Sequence, residues 1–281
     1  MLIRLSQNMM DEPLKLGGES LDIGKVTSSD LLLRCRRYLK KDPIANVLPL
    51  GDLYQPLLRV SSIYAAIEDD CVSGICSIYH AYSTPSLVLG SGTSAAKRVL
   101  INEASGEISD HFISLCQPDE VNLFKEHLVI LHRHPEQQMV TDSPKHVEIG
   151  NVKVSKVSKN DLGLLSKFYA EHHAEAWTPI QFRAGPYYCV KSDDQIVSAA
   201  GVHVVAPQIA QLGNIVTDEA WRNRGFGTAC TSALAADMAS KGRIISLFVR
   251  TDNVPAIRMY EKLGFRKARN IVFLTIRKKR S

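Results

Sequence analysis

The sequence predicts an α/β (α+β) fold made of two units, each a central twisted mixed sheet with helices on both faces. Three observations point there. Short apolar runs of strand character alternate with segments whose apolar residues recur at the helical period. The order of these segments in residues 1–140 is repeated in residues 147–281. The charge also changes sign between the halves: residues 1–150 hold 14 Lys/Arg against 19 Asp/Glu, a net of −5, and residues 151–281 hold 20 against 10, a net of +10. With 281 residues, 45% of them hydrophobic and 22% charged, the chain is long enough for two ordinary domains and too apolar for bulk disorder.

In the first half, Ser28–Lys40 reads as a basic helix, and Ser61–Glu68 with Cys71–Tyr79 as a hairpin through Asp69-Asp70. Ser86–Leu89 is an expected strand, Ser94–Ala104 a helix, Ile108–Leu115 a strand, Glu120–Leu128 a helix and Val129–His134 a strand. The stretch from Pro135 to Gly150 is polar, carries Pro135 and Pro144, and has no sustained period, so it is expected to link the units. The second half opens with a short strand at Val152–Val157 and a helix to about His173, capped by Ser158 or Asn160. Tyr187–Lys191 and Ile196–Val205 form a hairpin through Ser192-Asp193-Asp194-Gln195, and Gln208–Thr217 is a further strand. Phe226, Ala229, Cys230, Ala233, Leu234 and Met238 follow the helical period up to about Ser240. Ile244–Val249 is a strand, Val254–Leu263 a helix and Ile271–Ile276 a last strand.

Composition excludes several classes. No stretch approaches the roughly 18 apolar residues that span a bilayer, and Met1–Lys15 is broken by Arg4, Gln7, Asp11 and Glu12 where a secretion signal is continuously apolar. A soluble, cytoplasmic protein without a membrane partner is expected. The cysteines (Cys35, Cys71, Cys76, Cys116, Cys189, Cys230) are too sparse for a disulfide scaffold and lack the Cys-x-x-Cys pairs of a zinc site, so no metal is expected. His172 and His173 are adjacent, hence about 100° apart on a helix, and do not converge on one ion. The basic residues of the second half form no stripe with interleaved aromatics, which argues against nucleic acid. The terminal Arg277-Lys278-Lys279-Arg280 run reads as a solvated tail.

The informative segment is Arg222-Asn223-Arg224-Gly225-Phe226-Gly227-Thr228, between a strand and a helix. A helix start leaves backbone N–H groups unpaired at the positive end of its dipole. Gly225 and Gly227 let a ligand approach the backbone, and Arg222 and Arg224 add cations, which together suit a phosphate or pyrophosphate. A dinucleotide fingerprint would need glycine where Cys230 stands; a Walker loop would need Lys-Ser/Thr where Thr228-Ala229 stand.

The next segment, Asn253-Val254-Pro255-Ala256-Ile257-Arg258-Met259-Tyr260-Glu261-Lys262-Leu263-Gly264-Phe265, follows another strand. With both segments in this order, the chain resembles the GNAT superfamily of acyl-CoA N-acyltransferases, in which Gln/Arg-x-x-Gly-x-Gly/Ala opens the pyrophosphate-binding helix and an Asn-x-x-Ala-x-x-x-Tyr-x-x-x-Gly-Phe segment comes after the following strand. Ser198–Gly201, Leu212–Val216 and Ser246–Phe248 look closest to the glycine N-acyltransferase-like branch.

The resemblance implies an enzyme that moves an acyl group from acetyl-CoA or another acyl-CoA to an amine-bearing acceptor by direct attack. It implies that the N–H groups around Arg224, Gly225, Phe226, Gly227 and Thr228, with Arg222 beside them, hold the pyrophosphate. Ile215, Val216 and Thr217 would offer backbone partners to the pantetheine arm where two strands splay apart. Asn253 would contact the cofactor, its alternative being a plain N-cap. Tyr260 would protonate the departing thiolate, its alternative being a packed aromatic. Some relatives carry a Glu base at the position of Gln211, which cannot act as one; Glu219, His203 and an ordered water remain open, although a histidine on an apolar strand is more often structural. Trp177-Thr178-Pro179 is placed to shape the acceptor pocket. The first half reads as a second, diverged GNAT-like unit whose Leu89-Gly90-Ser91-Gly92-Thr93 loop lacks the arginine and the glycine spacing, so no cofactor is expected there; its expected job is to pack against the second half and shape the acceptor cleft. Two other classes compete: a non-catalytic CoA-binding module, suggested by Gln211, and a nucleic-acid-associated protein, suggested by the basic half, whose binding would depend steeply on salt.

Overall fold

The computed structural model describes residues 15–16, 19–108, 110–126 and 128–279. The chain begins its described elements with β1 (Lys15–Leu16) and β2 (Glu19–Lys25), then α1 (Ser29–Leu39) and α2 (Val47–Asp52). Ser28 caps α1 by accepting from the Leu31 N–H. β3 (Ser61–Glu68) and β4 (Cys71–Tyr79) form the expected hairpin; Asp69 and Asp70 both take positive φ, 48° and 58°, as a two-residue hairpin turn with the twist of its strands requires. β5 (Ser86–Gly92), α3 (Ser94–Gly106), β6 (His111–Cys116), α4 (Val121–Lys125) and β7 (Leu128–Thr141) complete the first half.

The second half repeats this order. It runs through β8 (Val154–Lys156), α5 (Leu162–Glu171), α6 (Pro179–Ala184), β9 (Tyr187–Ser192), β10 (Gln195–Val205), β11 (Ile209–Thr217), α7 (Phe226–Ala239), β12 (Ile244–Arg250), α8 (Val254–Lys262) and β13 (Arg266–Lys278). Its hairpin turn is again an Asp pair, Asp193 and Asp194, with φ of 46° and 60°.

Among the described residues the strands form one thirteen-stranded sheet in the order β1-β2-β3-β4-β5-β6-β13-β7-β12-β11-β10-β9-β8. The centre of that order is an exchange. β7, the last strand of the first half, pairs with β12 of the second; β13, the last strand of the second half, pairs with β6 of the first; and β7 and β13 pair with each other from Leu128↔Lys278 to Val140↔Arg266. The segment expected as a linker is thereby corrected at its start, because residues 135–141 belong to β7. Their apolar alternation is weak because buried Gln138 is held by hydrogen bonds: it donates to Ser246 Oγ (2.8 Å) and the Ile44 carbonyl (2.9 Å), and accepts from Arg269 Nε (2.6 Å). The basic tail is corrected as well. Arg277 and Lys278 end β13, and Lys278 and Lys279 donate to the carbonyls of Gly106 and Glu126; Arg280 lies outside the described residues, as does most of Met1–Lys15.

Alternate residues along each strand feed helices on opposite faces. In the first half Tyr64, Ala66, Cys76 and Ile78 pack with α3 and α4, while Ile63, Ala65 and Ile75 pack with α1 and α2. In the second half Ala200, Val202, Ala210 and Leu212 pack with α7 and α8, while Tyr187, Cys189 and Ala199 pack with α5. Val204, Ala206 and Ile209 of the second half join the core under α1 and α2, so the halves share apolar packing beside their shared sheet. Cys71 is exposed and the other five cysteines are buried as free thiols. No described helix is long and apolar enough to cross a membrane.

Candidate active site

The site starts where β11 ends. Asn223 and Gly225 take left-handed φ, 62° and 79°, which turns the chain sharply into α7. Gly225 is the N-cap and has no side chain to close the helix start. The backbone N–H groups from Asn223 to Thr228 donate to no described protein group, whereas Ala229, one residue further, already bonds the Gly225 carbonyl. A Cβ on Gly225 would stand 2.6 Å from Ile149 Cγ2, and one on Gly227 3.1 Å from Thr217 Oγ1, so the turn is tight on both sides. Arg224 lies over the Trp221 ring (4.7 Å), which stacks on Phe226 (5.6 Å). Arg222 pairs with Glu219 (2.9 Å) and donates to the Thr217 carbonyl.

The strand leading to the turn is open on one edge. β11 pairs in parallel with β12 from Ile209↔Ile244 to Leu212↔Leu247, and there the pairing stops. Asn214 follows with φ of 51°, in a bulge against β10 between Ala199 and Gly201, and Ile215–Thr217 continue on β10 alone. The two strands therefore diverge, and Gly213, Asn214 and Ile215 on one side face Phe248, Val249 and Arg250 on the other across a cavity of about 350 Å³.

Asn253 and Tyr260 also line this cavity. Asn253 Oδ1 accepts from the Ala256 N–H (3.3 Å), so it does cap α8. Tyr260 is 6% exposed and packs edge-on against Phe265 (5.9 Å). Burial raises its pKa well above the ordinary tyrosine range, so the phenol holds its proton at neutral pH. Gln211 is 2% exposed and reaches the same cavity, where its Oε1 has no hydrogen-bond partner. His203 lines it too; its Nε2 is likewise without a partner, and burial lowers its pKa. Glu219 is not in the cavity: its side chain is 79% exposed and bound to Arg222.

The first half was expected to shape the acceptor cleft, but the residues with which it does so were not named by the sequence reading. Asp52, at the end of α2, is 4% exposed and lines the cavity. Ser77 Oγ donates to Asp52 Oδ2 (2.7 Å), no cation pairs with it among the described residues, and burial pushes its pKa up to about 7. Glu136 of β7 lines the cavity as well; burial raises its pKa against the opposing pull of His134, 3.0 Å away. The floor is a polar network. Tyr79 OH meets Thr178 Oγ1 (3.0 Å), Gln181 donates to Tyr82 OH (3.0 Å), and Asn214 donates to Gln181 Oε1 (3.2 Å). Trp177 does not reach the cavity: it packs under it, against Tyr169 and Tyr187. A Thr178–Gln181 capping box with Pro179 at the first helical position announces α6 in the sequence; nothing comparable announces α2. His172 faces Asp218 (3.4 Å) in a separate surface hollow, and no described cluster of His, Cys, Asp and Glu is arranged to hold a metal ion.

In the first half the corresponding turn is closed by protein groups. Asn46 Oδ1 accepts from the Ser91 N–H (2.7 Å), and Thr93 caps α3 by accepting from the Ala96 N–H (3.2 Å).

A model of the FR47-like protein family matches residues 193–274, which span β10 to most of β13. The [ribosomal protein bS18]-alanine N-acetyltransferase of Salmonella typhimurium is 31% identical over 121 residues, covering 41% of this chain and 81% of that protein. The chain belongs to the GNAT family of acetyltransferases. Among solved structures, this GNAT chain shares its fold with a GNAT-family protein of Novosphingobium aromaticivorans (TM-score 0.57, 21% identity, 73% of this chain and 89% of that one). It also shares it with a tandem GNAT protein from the clavulanic acid biosynthesis pathway (TM-score 0.60, 13% identity, 93% and 100%) and with a protein of Pyrococcus horikoshii (TM-score 0.60, 12% identity, 96% and 94%).

Proposed function

We propose that this GNAT protein transfers an acetyl group from acetyl-CoA to a primary amine by direct attack in a ternary complex, with Tyr260 as the general acid. The observation that carries the reading is the run of unpartnered N–H groups from Asn223 to Thr228, set at the end of a strand that has left its neighbour. Unpaired N–H groups at a helix start favour an anion, and they suit the CoA pyrophosphate, flanked by Arg222 and Arg224. The open edge of Ile215, Val216 and Thr217 offers main-chain partners to the pantetheine amides, which would aim the thioester at Tyr260. A protonated phenol beside the sulfur delivers its proton as the carbon–sulfur bond breaks. Holding amine and thioester in one cavity converts a bimolecular encounter into an oriented one.

The proposal extends to the chain's organisation. Residues 147–281 form the acyl-CoA-binding unit, and residues 1–140 a diverged unit of the same ancestry, a reading supported by the repeated element order and the strand exchange. Three segments, Ser198–Gly201, Leu212–Val216 and Ser246–Phe248, support a place near the glycine N-acyltransferase-like branch.

Release of free thiol from acetyl-CoA, measured across a panel of primary amines, tests the activity. Tyr260→Phe is expected to lower kcat by roughly 100-fold or more while leaving the CoA dissociation constant unchanged. Gln211 gives a second reading its one specific support, since it cannot serve as a base: tight CoA binding without turnover of any amine would identify a binding module.

A further inference from the structure

The cavity has two walls of different origin. The second half supplies Tyr260, Asn253, Gln211 and His203; the first supplies Asp52 and an apolar lining of Leu48, Leu57, Val88, Ile113 and Leu115. Close packing fixes Asp52 in place. A Cβ on Gly51 would stand 2.4 Å from Val204 Cβ, so the end of α2 is seated directly on β10. Val204 is the cross-strand partner of Gln211, and such partners share a face of the sheet, so Gln211 is turned toward α2. Three groups at this place can accept hydrogen bonds yet have unfilled capacity: Asp52 Oδ1, Gln211 Oε1 and His203 Nε2. Buried acceptors without donors are costly, and their common complement is a group with several donors. An ammonium has three.

We propose that this cavity takes a primary ammonium borne on an apolar body, and that Asp52 of the first half removes its proton. The inference rests on the acyl-transfer reading and deepens it by naming the acceptor class and the base. The ammonium gives one proton to the Asp52 carboxylate; the freed nitrogen lone pair attacks the thioester carbonyl carbon, forming the C–N bond. The C–S bond then breaks, the thiolate takes the Tyr260 proton, and the nitrogen's second proton re-protonates Tyr260. The products are the acetylamide, CoA thiol and a protonated Asp52, which returns its proton to solvent. A carboxyl group titrating near neutrality is matched to this work. The groups facing Asp52 are Ser77 and Tyr79 on β4, Tyr82 beyond it, His203 on β10 and Glu136 on β7, with the Cys76 thiol on the other face of β4; Arg36 of α1 is held by the Leu53 carbonyl.

The test uses the full chain with acetyl-CoA and four acceptors: n-hexylamine, 2-phenylethylamine, glycine and a short peptide beginning with alanine. Wild type should acetylate at least one apolar acceptor in preference to glycine, with the alkylamine and peptide arms separating a free amine from a peptide terminus. Asp52→Asn keeps the shape and the Ser77 contact. It should lower kcat/KM for the amine by about 100-fold at pH 7 and abolish the rise in rate between pH 6 and 8, with CoA affinity unchanged. Adding Gln211→Glu to that variant should restore a pH-dependent rate, since it returns a carboxylate to the same wall. Equal amine kinetics and an unaltered pH profile in Asp52→Asn would overturn the Asp52 assignment alone. A preference for glycine would overturn the apolar acceptor class. Wild type that binds acetyl-CoA and acetylates none of the four would end the acyl-transfer reading itself.

Discussion

Two single residues carry most of the site's physical chemistry, and they differ in how they can be found. Gly225 is visible in the sequence because an Arg-x-x-Gly-x-Gly before a helical period needs a left-handed, side-chain-free position, and φ is 79° there. Gly225→Val should lower CoA affinity at least about tenfold and cost roughly 1–3 kcal/mol of stability, from backbone strain and the clash with Ile149; calorimetric titration and urea unfolding read the two effects. Asp52 is invisible in the sequence because VLPLGD has no period and its role depends on β10, about 150 residues later in the chain. Its raised pKa makes a separate prediction about stability. The folded state keeps the carboxyl protonated up to about 7 while the unfolded chain releases the proton near 3.8, so folding is progressively disfavoured as pH rises between those values, by as much as roughly 4 kcal/mol. Asp52→Asn should therefore gain stability over wild type on going from pH 5 to pH 8. Thermal midpoints that keep a constant difference across that range would contradict it.

At the scale of elements, those with a clean period or a turn signature were legible: both Asp-Asp hairpins, α3, α7 and α8 appear within a few residues of expectation. Elements held by hydrogen bonds rather than by apolar alternation were not, as the end of β7 around Gln137-Gln138 shows. The divergence of β11 from β12 was expected from resemblance alone, since no residue pattern in LGNIVT marks it beyond Asn214, whose positive φ creates the bulge. Helix starts set the contrast between the halves. Thr93 and Asn46 occupy N–H groups in one, while Gly225 leaves them open in the other. At α8, Asn253 caps the helix and lines the cavity at once. Asn253→Ala is expected to cost about 1 kcal/mol in urea unfolding, and to weaken CoA binding several-fold if the amide also touches the cofactor, as calorimetry would register.

For the whole molecule, a mixed α/β fold was legible from the alternating elements and their repeated order, but the exchange of the central strands was not. Which strand completes which sheet is decided by tertiary packing, and the sequences of β7 and β13 suit either neighbour. The exchange predicts that residues 1–146 and residues 147–281, produced separately, will each lack the strand that borders their own central edge and will fail to fold cooperatively, whereas mixing the two should restore circular dichroism and a single melting transition. Independent, cooperative melting of either piece would show that the exchange is dispensable.

That crossed main chain also governs how the reaction chamber can behave. Opposite walls of the chamber are anchored to ladders that both halves weave together, so prising them apart would strip hydrogen bonds from two strands of 14 and 13 residues at once. Reactants must then enter and leave through the standing mouth between the diverging strands, and turnover should proceed without the large hinge closure by which many two-lobed enzymes shut out water.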